Sequence, residues 1–130
     1  MEATIGYAAD QSGRGIAYAR LTGSRSHRLL RTEFHVAART VTDRAIAYAA
    51  LTSIVRALAR RGFREVTFVL GDAEFAEEIA SGRGVSEALV LSYVALRCAL
   101  NTLKTFQLRT GSTDELAQRA RVEATLNVAA

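Results

Sequence analysis

The apolar run Val66-Thr67-Phe68-Val69-Leu70, arriving directly after a segment of helical period, constrains this chain more than any other feature. A strand so nearly continuous in apolar side chains suits a sheet covered on both faces. Such sheets are assembled by strand–helix–strand crossovers that leave the strands parallel. The preceding segment, Asp43 to Arg61, repeats Ala45, Tyr48, Leu51, Val55 and Leu58 every three or four residues, which is one face of an amphipathic helix. Gly62 supplies its stop.

Upstream, the period is two. Thr4 to Asp10 reads as a strand, Gln11 to Gly15 as a turn whose two glycines supply positive φ, and Ile16 to Leu21 as the returning strand. Gly23 to Ser26 marks a second turn. From Arg28 to Ala37, Leu30, Thr32, Phe34 and Val36 alternate with Leu29, Arg31, Glu33 and His35. These three strands predict an antiparallel meander. Downstream, Asp72 caps a short helix through Ala80, and Gly82-Arg83-Gly84 breaks it. Ser86 to Asn101 reads as one helix with apolar residues almost all round, and Leu103 to Leu108 as the last strand. Ser112 and Glu115 have the spacing of a capping box opening the final helix. The expected architecture is an α/β domain spanning residues 1–130. Its five-stranded mixed sheet has three antiparallel strands and then two parallel ones, flanked by helices.

With 49% hydrophobic and 23% charged residues, the composition is that of a folded globular protein. No stretch reaches the roughly 18 apolar residues of a membrane span, and the first residues do not form a secretory signal, so a cytoplasmic location is expected. Cys98, the only cysteine, lies in an apolar segment and reads as a small buried hydrophobe. The all-round apolar character of Ser86–Asn101 implies burial on more than one side, with a second copy of the chain as the candidate cover, hence a homodimer.

Residues 1–64 hold 11 basic and 4 acidic side chains (+7), whereas residues 65–130 hold 6 and 9 (−3). An excess of arginine suits a polyanion, because guanidinium pairs bidentately with phosphate; a solvated basic surface accounts for it equally well. Gly13-Arg14-Gly15 is not a phosphate-binding loop, since neither a helix nor a Lys-Ser/Thr pair follows. Tyr7 falls in step with Ile5 and Tyr18 with Ile16, so both rings are candidate core residues. His27 and His35 read as half-exposed strand histidines.

Short motifs sit at three junctions of this element order: Ala9-Asp10-Gln11-Ser12, Leu70-Gly71-Asp72-Ala73, and Thr113-Asp114-Glu115-Leu116-Ala117. Together they resemble the ribonuclease H-like superfamily, and within it type 1 ribonuclease H, over essentially the whole chain. The resemblance implies metal-dependent hydrolysis of RNA in RNA–DNA hybrids, with Asp10, Asp72 and Asp114 as catalytic ligands of Mg²⁺ or Mn²⁺. Hard oxygen ligands suit such ions, which activate water and stabilise a leaving oxygen. Arg14 and Arg44 are the candidate nucleic-acid contacts. Each aspartate also has an ordinary structural reading, two at helix starts and one before a glycine turn.

The sequence departs from that family in the first helix, where Thr42-Asp43-Arg44-Ala45-Ile46 resembles the family's Thr-Asn-Asn-x-x-Glu segment with Ile46 in place of the glutamate. The loop before Asp114 is also too short for the histidine-bearing loop of many relatives, and no basic handle segment lies between Ala80 and Ser92. The alternative expectation is therefore an inactive domain of this fold that binds nucleic acid or mediates oligomerisation.

Overall fold

The computed structural model describes residues 1–23 and 27–129. Its elements run β1 (Glu2–Ala9), β2 (Arg14–Thr22), β3 (His27–His35), α1 (Asp43–Arg60), β4 (Glu65–Leu70), α2 (Ala73–Ser81), a 3-10 turn (Glu87–Leu89), α3 (Val90–Leu100), β5 (Thr105–Thr110) and α4 (Asp114–Ala129). The strands form one sheet in the order β3-β2-β1-β4-β5. β1 pairs antiparallel with β2 and parallel with β4; β2 pairs antiparallel with β3, and β4 parallel with β5. The expected mixed sheet is the one found. Apart from Gly23, the turn expected over Gly23–Ser26 lies outside the described residues.

Alternation along the central strands divides the core between the two faces of the sheet. Ala3 and Ile5 of β1 and Ala17, Ala19 and Leu21 of β2 join the large cluster beneath α1, while Ile16 and Tyr18 pack with Leu116 and Ala120 of α4 on the opposite face. Tyr7 packs against the first cluster, in step with Ile5. Thr42 caps α1, its hydroxyl accepting from the Ala45 N–H at 3.1 Å. The seat of α4 on β1 demands a glycine: a Cβ at Gly6 would lie 2.3 Å from the Ala117 backbone nitrogen.

At the β1–β2 hairpin only Gly13 has positive φ, at 88°. Gly15 is required for space instead, since a Cβ there would lie 2.2 Å from the Phe34 ring.

Several expectations are corrected. Ser86–Asn101 is not one helix but a 3-10 turn followed by α3, and it is not buried all round. α3 packs on α1 along a single face, burying Leu96, Ala99 and Leu100 and leaving Leu91 85% exposed. Cys98 lies on the outer side and is exposed, not buried. β5 starts two residues later than expected because Leu103 is spent at the exit of α3, its N–H bonded to the Leu100 carbonyl and its side chain in the core. The Ser112–Glu115 capping box does not form: α4 opens one residue later, with the Thr113 carbonyl accepting from Ala117, and Glu115 instead pairs with Arg20 at 2.9 Å. Both histidines are β3 residues, as expected, but exposed and not half-exposed. No described helix is long and apolar enough to cross a membrane.

Gly6→Val is expected to destabilise the protein by more than about 2 kcal/mol, because the overpacked atoms are backbone and cannot rotate away. Urea unfolding of the two proteins checks this; a smaller loss would mean that α4 lifts off β1 without cost.

Candidate functional site

β4 ends beside the middle of β1 at the centre of the sheet, and the carboxyl ends of strands are where an open α/β sheet ordinarily offers its binding crevice. Thr4 is level with Val69 in the parallel register, and continuing it places Tyr7 level with Asp72. Asp10 is three residues farther on, about 10 Å along the strand direction.

A cleft at this position is lined by Tyr7, Asp43, Arg44, Ile46, Asp72 and Arg121. Asp72 caps α2, one carboxylate oxygen accepting from the Phe75 N–H at 3.1 Å. Its other oxygen stands 3.7 Å from the guanidinium of Arg44, which makes a closer pair with Glu78 at 2.9 Å. The guanidinium also lies over the Phe75 ring, 5.3 Å from its centroid. Tyr48 donates its hydroxyl proton to Glu78 and meets Phe75 edge-on. Burial, and then this hydrogen bond, push the Tyr48 pKa up. The Tyr7 pKa is raised to about 12, first by burial and then by the Asp72 charge, with Arg44 opposing and Asp43 adding. Asp72, Glu78 and Arg44 thus form a charge group closed largely upon itself.

The other expected ligands stand elsewhere. Asp10 belongs to the hairpin turn, where one carboxylate oxygen accepts from the Ser12 hydroxyl at 2.6 Å, the Ser12 N–H at 2.9 Å and the Arg14 N–H at 3.1 Å. The Ser12 hydroxyl first, then the two N–H groups, lower its pKa. It lines a separate cleft with Arg14, Glu33 and His35. Asp114 opens α4, where a Cβ on Gly71 would lie 2.5 Å from the Thr113 hydroxyl. Asp72 and Asp114 each follow directly on that contact, while Asp10 follows Ala8 and Ala9, which line the Asp72 cleft.

Ile46 lines the cleft and is half-buried. Laid on Thr42, the six-residue family segment ends one residue later, at Ala47, which is buried and equally unable to bind a cation. Asp43 is the only carboxylate of α1. Among the described residues no three His, Cys, Asp or Glu side chains are grouped to hold a metal ion. The donors present therefore do not fit a two-ion centre. Residue patterns gave no sign of Glu78 or Arg121, because the first is one of several acidic residues on α2 and the second has only a helical surface position to mark it.

No protein-family model matches the sequence, and no curated protein matches it significantly. Solved structures do match. Ribonuclease H1 from the halophilic archaeon Halobacterium salinarum superposes with a TM-score of 0.73 at 16% identity, covering 97% of each chain. The N-terminal ribonuclease H domain of Rv2228c from Mycobacterium tuberculosis gives 0.70 at 14%, covering 98% of each. LC11-RNase H1, from compost and solved in complex with an RNA/DNA hybrid, gives 0.75 at 14%, covering 99% of each. The chain has the ribonuclease H-like fold. Within that fold, the element order and sheet found here are the expected ones, and the cleft beside the end of β4 carries a tyrosine, two aspartates and two arginines.

Removing Arg44 leaves Glu78, whose side chain is only 11% exposed, without its cation. Arg44→Met is expected to cost about 1–3 kcal/mol, the penalty of an unsatisfied charged group, and adding Glu78→Gln should recover part of it. A double-mutant cycle by urea unfolding reads the coupling; a coupling of zero would show the pair to be incidental.

At alkaline pH the Tyr7 hydroxyl loses its proton more readily in the unfolded chain, where its pKa is near the ordinary value of about 10, than in the folded one at about 12. Stability should therefore fall as pH rises from 10 toward 12, and fall less in Tyr7→Phe. Identical pH dependence in both proteins would contradict the assignment.

Proposed function

We propose that this chain is a ribonuclease H-like domain that binds nucleic acid without cutting it. The observation that carries the reading is the Arg44 guanidinium, set between Asp72 and Glu78 beside the cleft at the end of β4. An internal cation at that place supplies the neutralisation that a divalent ion would otherwise give, and a second guanidinium, Arg121, lines the same cleft. A divalent ion entering there meets the anchored Arg44, a second guanidinium at the wall and too few oxygen donors.

The binding half of the proposal rests on charge and on likeness. The chain carries a net charge of +4, and LC11-RNase H1, which shares its fold, is solved with an RNA/DNA hybrid. RNA–DNA hybrid is accordingly the first ligand to test. Arg14 is exposed at the start of β2 and is available to a phosphate, whereas Arg44 is committed to its carboxylates.

The active alternative assigns Asp10, Asp72 and Asp114 to Mg²⁺ or Mn²⁺ and hydrolysis of the RNA strand. A further reading, a homodimer through α3, is favoured by the exposed Val90, Leu91 and Val94. A monomeric mass at high concentration in sedimentation equilibrium removes it.

The decisive experiment incubates purified protein with labelled RNA–DNA hybrid and either metal. The expected result is salt-dependent binding with no cleavage, in the parent and in Ile46→Glu alike, because Arg44 keeps its hold on Asp72 and Glu78 whatever stands at position 46. Mg²⁺- or Mn²⁺-dependent cleavage abolished by Asp72→Asn would overturn the proposal in favour of the active reading, and absence of binding at low salt would remove its binding half.

A further inference from the structure

The last turns of α1 and the facing edge strand β3 enclose a groove lined by Arg31, Thr32, Ser53, Arg56, Arg60 and Arg61, with Glu33 as its acidic member. It stands apart from the crevice. Arg44 lies in the first turn of α1 and Arg60 ends it, which separates them by about 24 Å at the helical rise.

The charges of this groove are unevenly satisfied. Arg31 is held by Glu123 and by Glu33, the latter at 3.0 Å. Arg56, Arg60 and Arg61 are exposed and have no carboxylate partner among the described residues. The dipole of α1 favours Arg60 and Arg61 at its C-terminus. It does nothing comparable for Arg56, a turn earlier, which repels Arg60 at the i, i+4 spacing. Beside them Thr32 and Ser53 share a hydrogen bond of 2.7 Å, placing two hydroxyls next to three unpaired guanidiniums. Arg56 and Arg60 are about 6 Å apart along the helix, a separation that lets each take a different phosphate of one strand.

We infer that the α1–β3 groove is a phosphate-backbone binding surface for nucleic acid, contacted through Arg56, Arg60 and Arg61 and remote from the ribonuclease H-like crevice. The inference rests on the binding half of the proposed function and assigns that binding a place. Backbone contacts of this kind carry no base recognition, so affinity depends on salt and little on sequence.

The test measures fluorescence anisotropy of a labelled RNA–DNA hybrid across a salt series. It compares the parent with Arg56→Gln/Arg60→Gln/Arg61→Gln and with a control of equal charge change, Arg39→Gln/Arg64→Gln/Arg83→Gln. The groove variant should bind at least tenfold more weakly at low salt, with a log–log salt slope shallower by about 2.7, the loss of three phosphate contacts. The control should keep the parent slope to within one contact. Should the triple variant fold poorly, Arg56→Glu alone is expected to weaken binding more than Arg83→Glu. If the parent binds and the groove variant binds equally, or if both triple variants weaken alike, the groove is not the surface, while the domain's nucleic-acid binding stands. If the parent does not bind at low salt, both statements fall together.

Discussion

Everything on one face of this sheet depends on how closely α4 approaches β1, and that approach is set by the missing side chain of Gly6. With a Cβ only 2.3 Å from the Ala117 nitrogen, no other residue is accommodated. The helix lies on the strand at backbone contact, and Leu116 and Ala120 close over Ile16 and Tyr18 to make the second core. The same seating brings the start of α4 to Gly71 at the end of β4, which is why Asp72 and Asp114 end up at one end of the sheet. A single close contact therefore organises both a hydrophobic cluster and the polar crevice beside it.

The seating of α4 also redistributes charge. Read along the chain, the basic residues concentrate in the first half and the acidic ones in the second. Folding lays the acidic helix across the basic strands: Glu115 meets Arg20, Glu123 meets Arg31 and accepts from the Tyr18 hydroxyl, and Arg119 covers the Tyr18 ring. The Glu123 pKa is lowered by the Arg31 hydrogen bond and then by that of Tyr18, and the Glu115 pKa by Arg20. Exposed pairs of this kind each contribute little to stability. Their larger effect is to neutralise Arg20 and Arg31 beside α4, while Arg14 and Arg28 of the meander and Arg56 and Arg60 of α1 keep no carboxylate partner among the described residues.

The layout of the fold was legible because it depends on period. Alternation in the first three strands, the three-to-four repeat of α1 and the apolar run of β4 each report a burial pattern, and burial pattern decides strand, helix and sheet position. The site was less legible because it depends on register, which period does not report. Ala9-Asp10-Gln11-Ser12 looks like a strand-borne aspartate motif, yet the strand ends at Ala9, and it is Tyr7 that lines the cleft with Asp72. Three residues of offset turn a candidate ligand into a turn residue and a candidate core ring into a wall of the crevice. Cys98 and Leu91 misled for a related reason. An apolar helix reads as buried, and only the packing of α3 on α1 along one face shows which half of it is covered.

The absence of a glutamate from α1 is the departure most visible in sequence, but the structure makes Arg44 the more consequential residue. A missing carboxylate lowers the charge available to bind cations by one; a guanidinium inserted among the remaining carboxylates cancels one more and occupies oxygens of Asp72 and Glu78. Arg44 is anchored three ways, by Glu78, by Asp72 and by the face of Phe75, and Glu78 is in turn fixed by Tyr48. These partners come from β4's exit, α2 and α1, so the cation is built into the packing of three elements and is not a flexible side chain that swings aside. Restoring one acidic residue at the head of α1 therefore leaves Arg44 in place between Asp72 and Glu78, and those two carboxylates stay engaged from within.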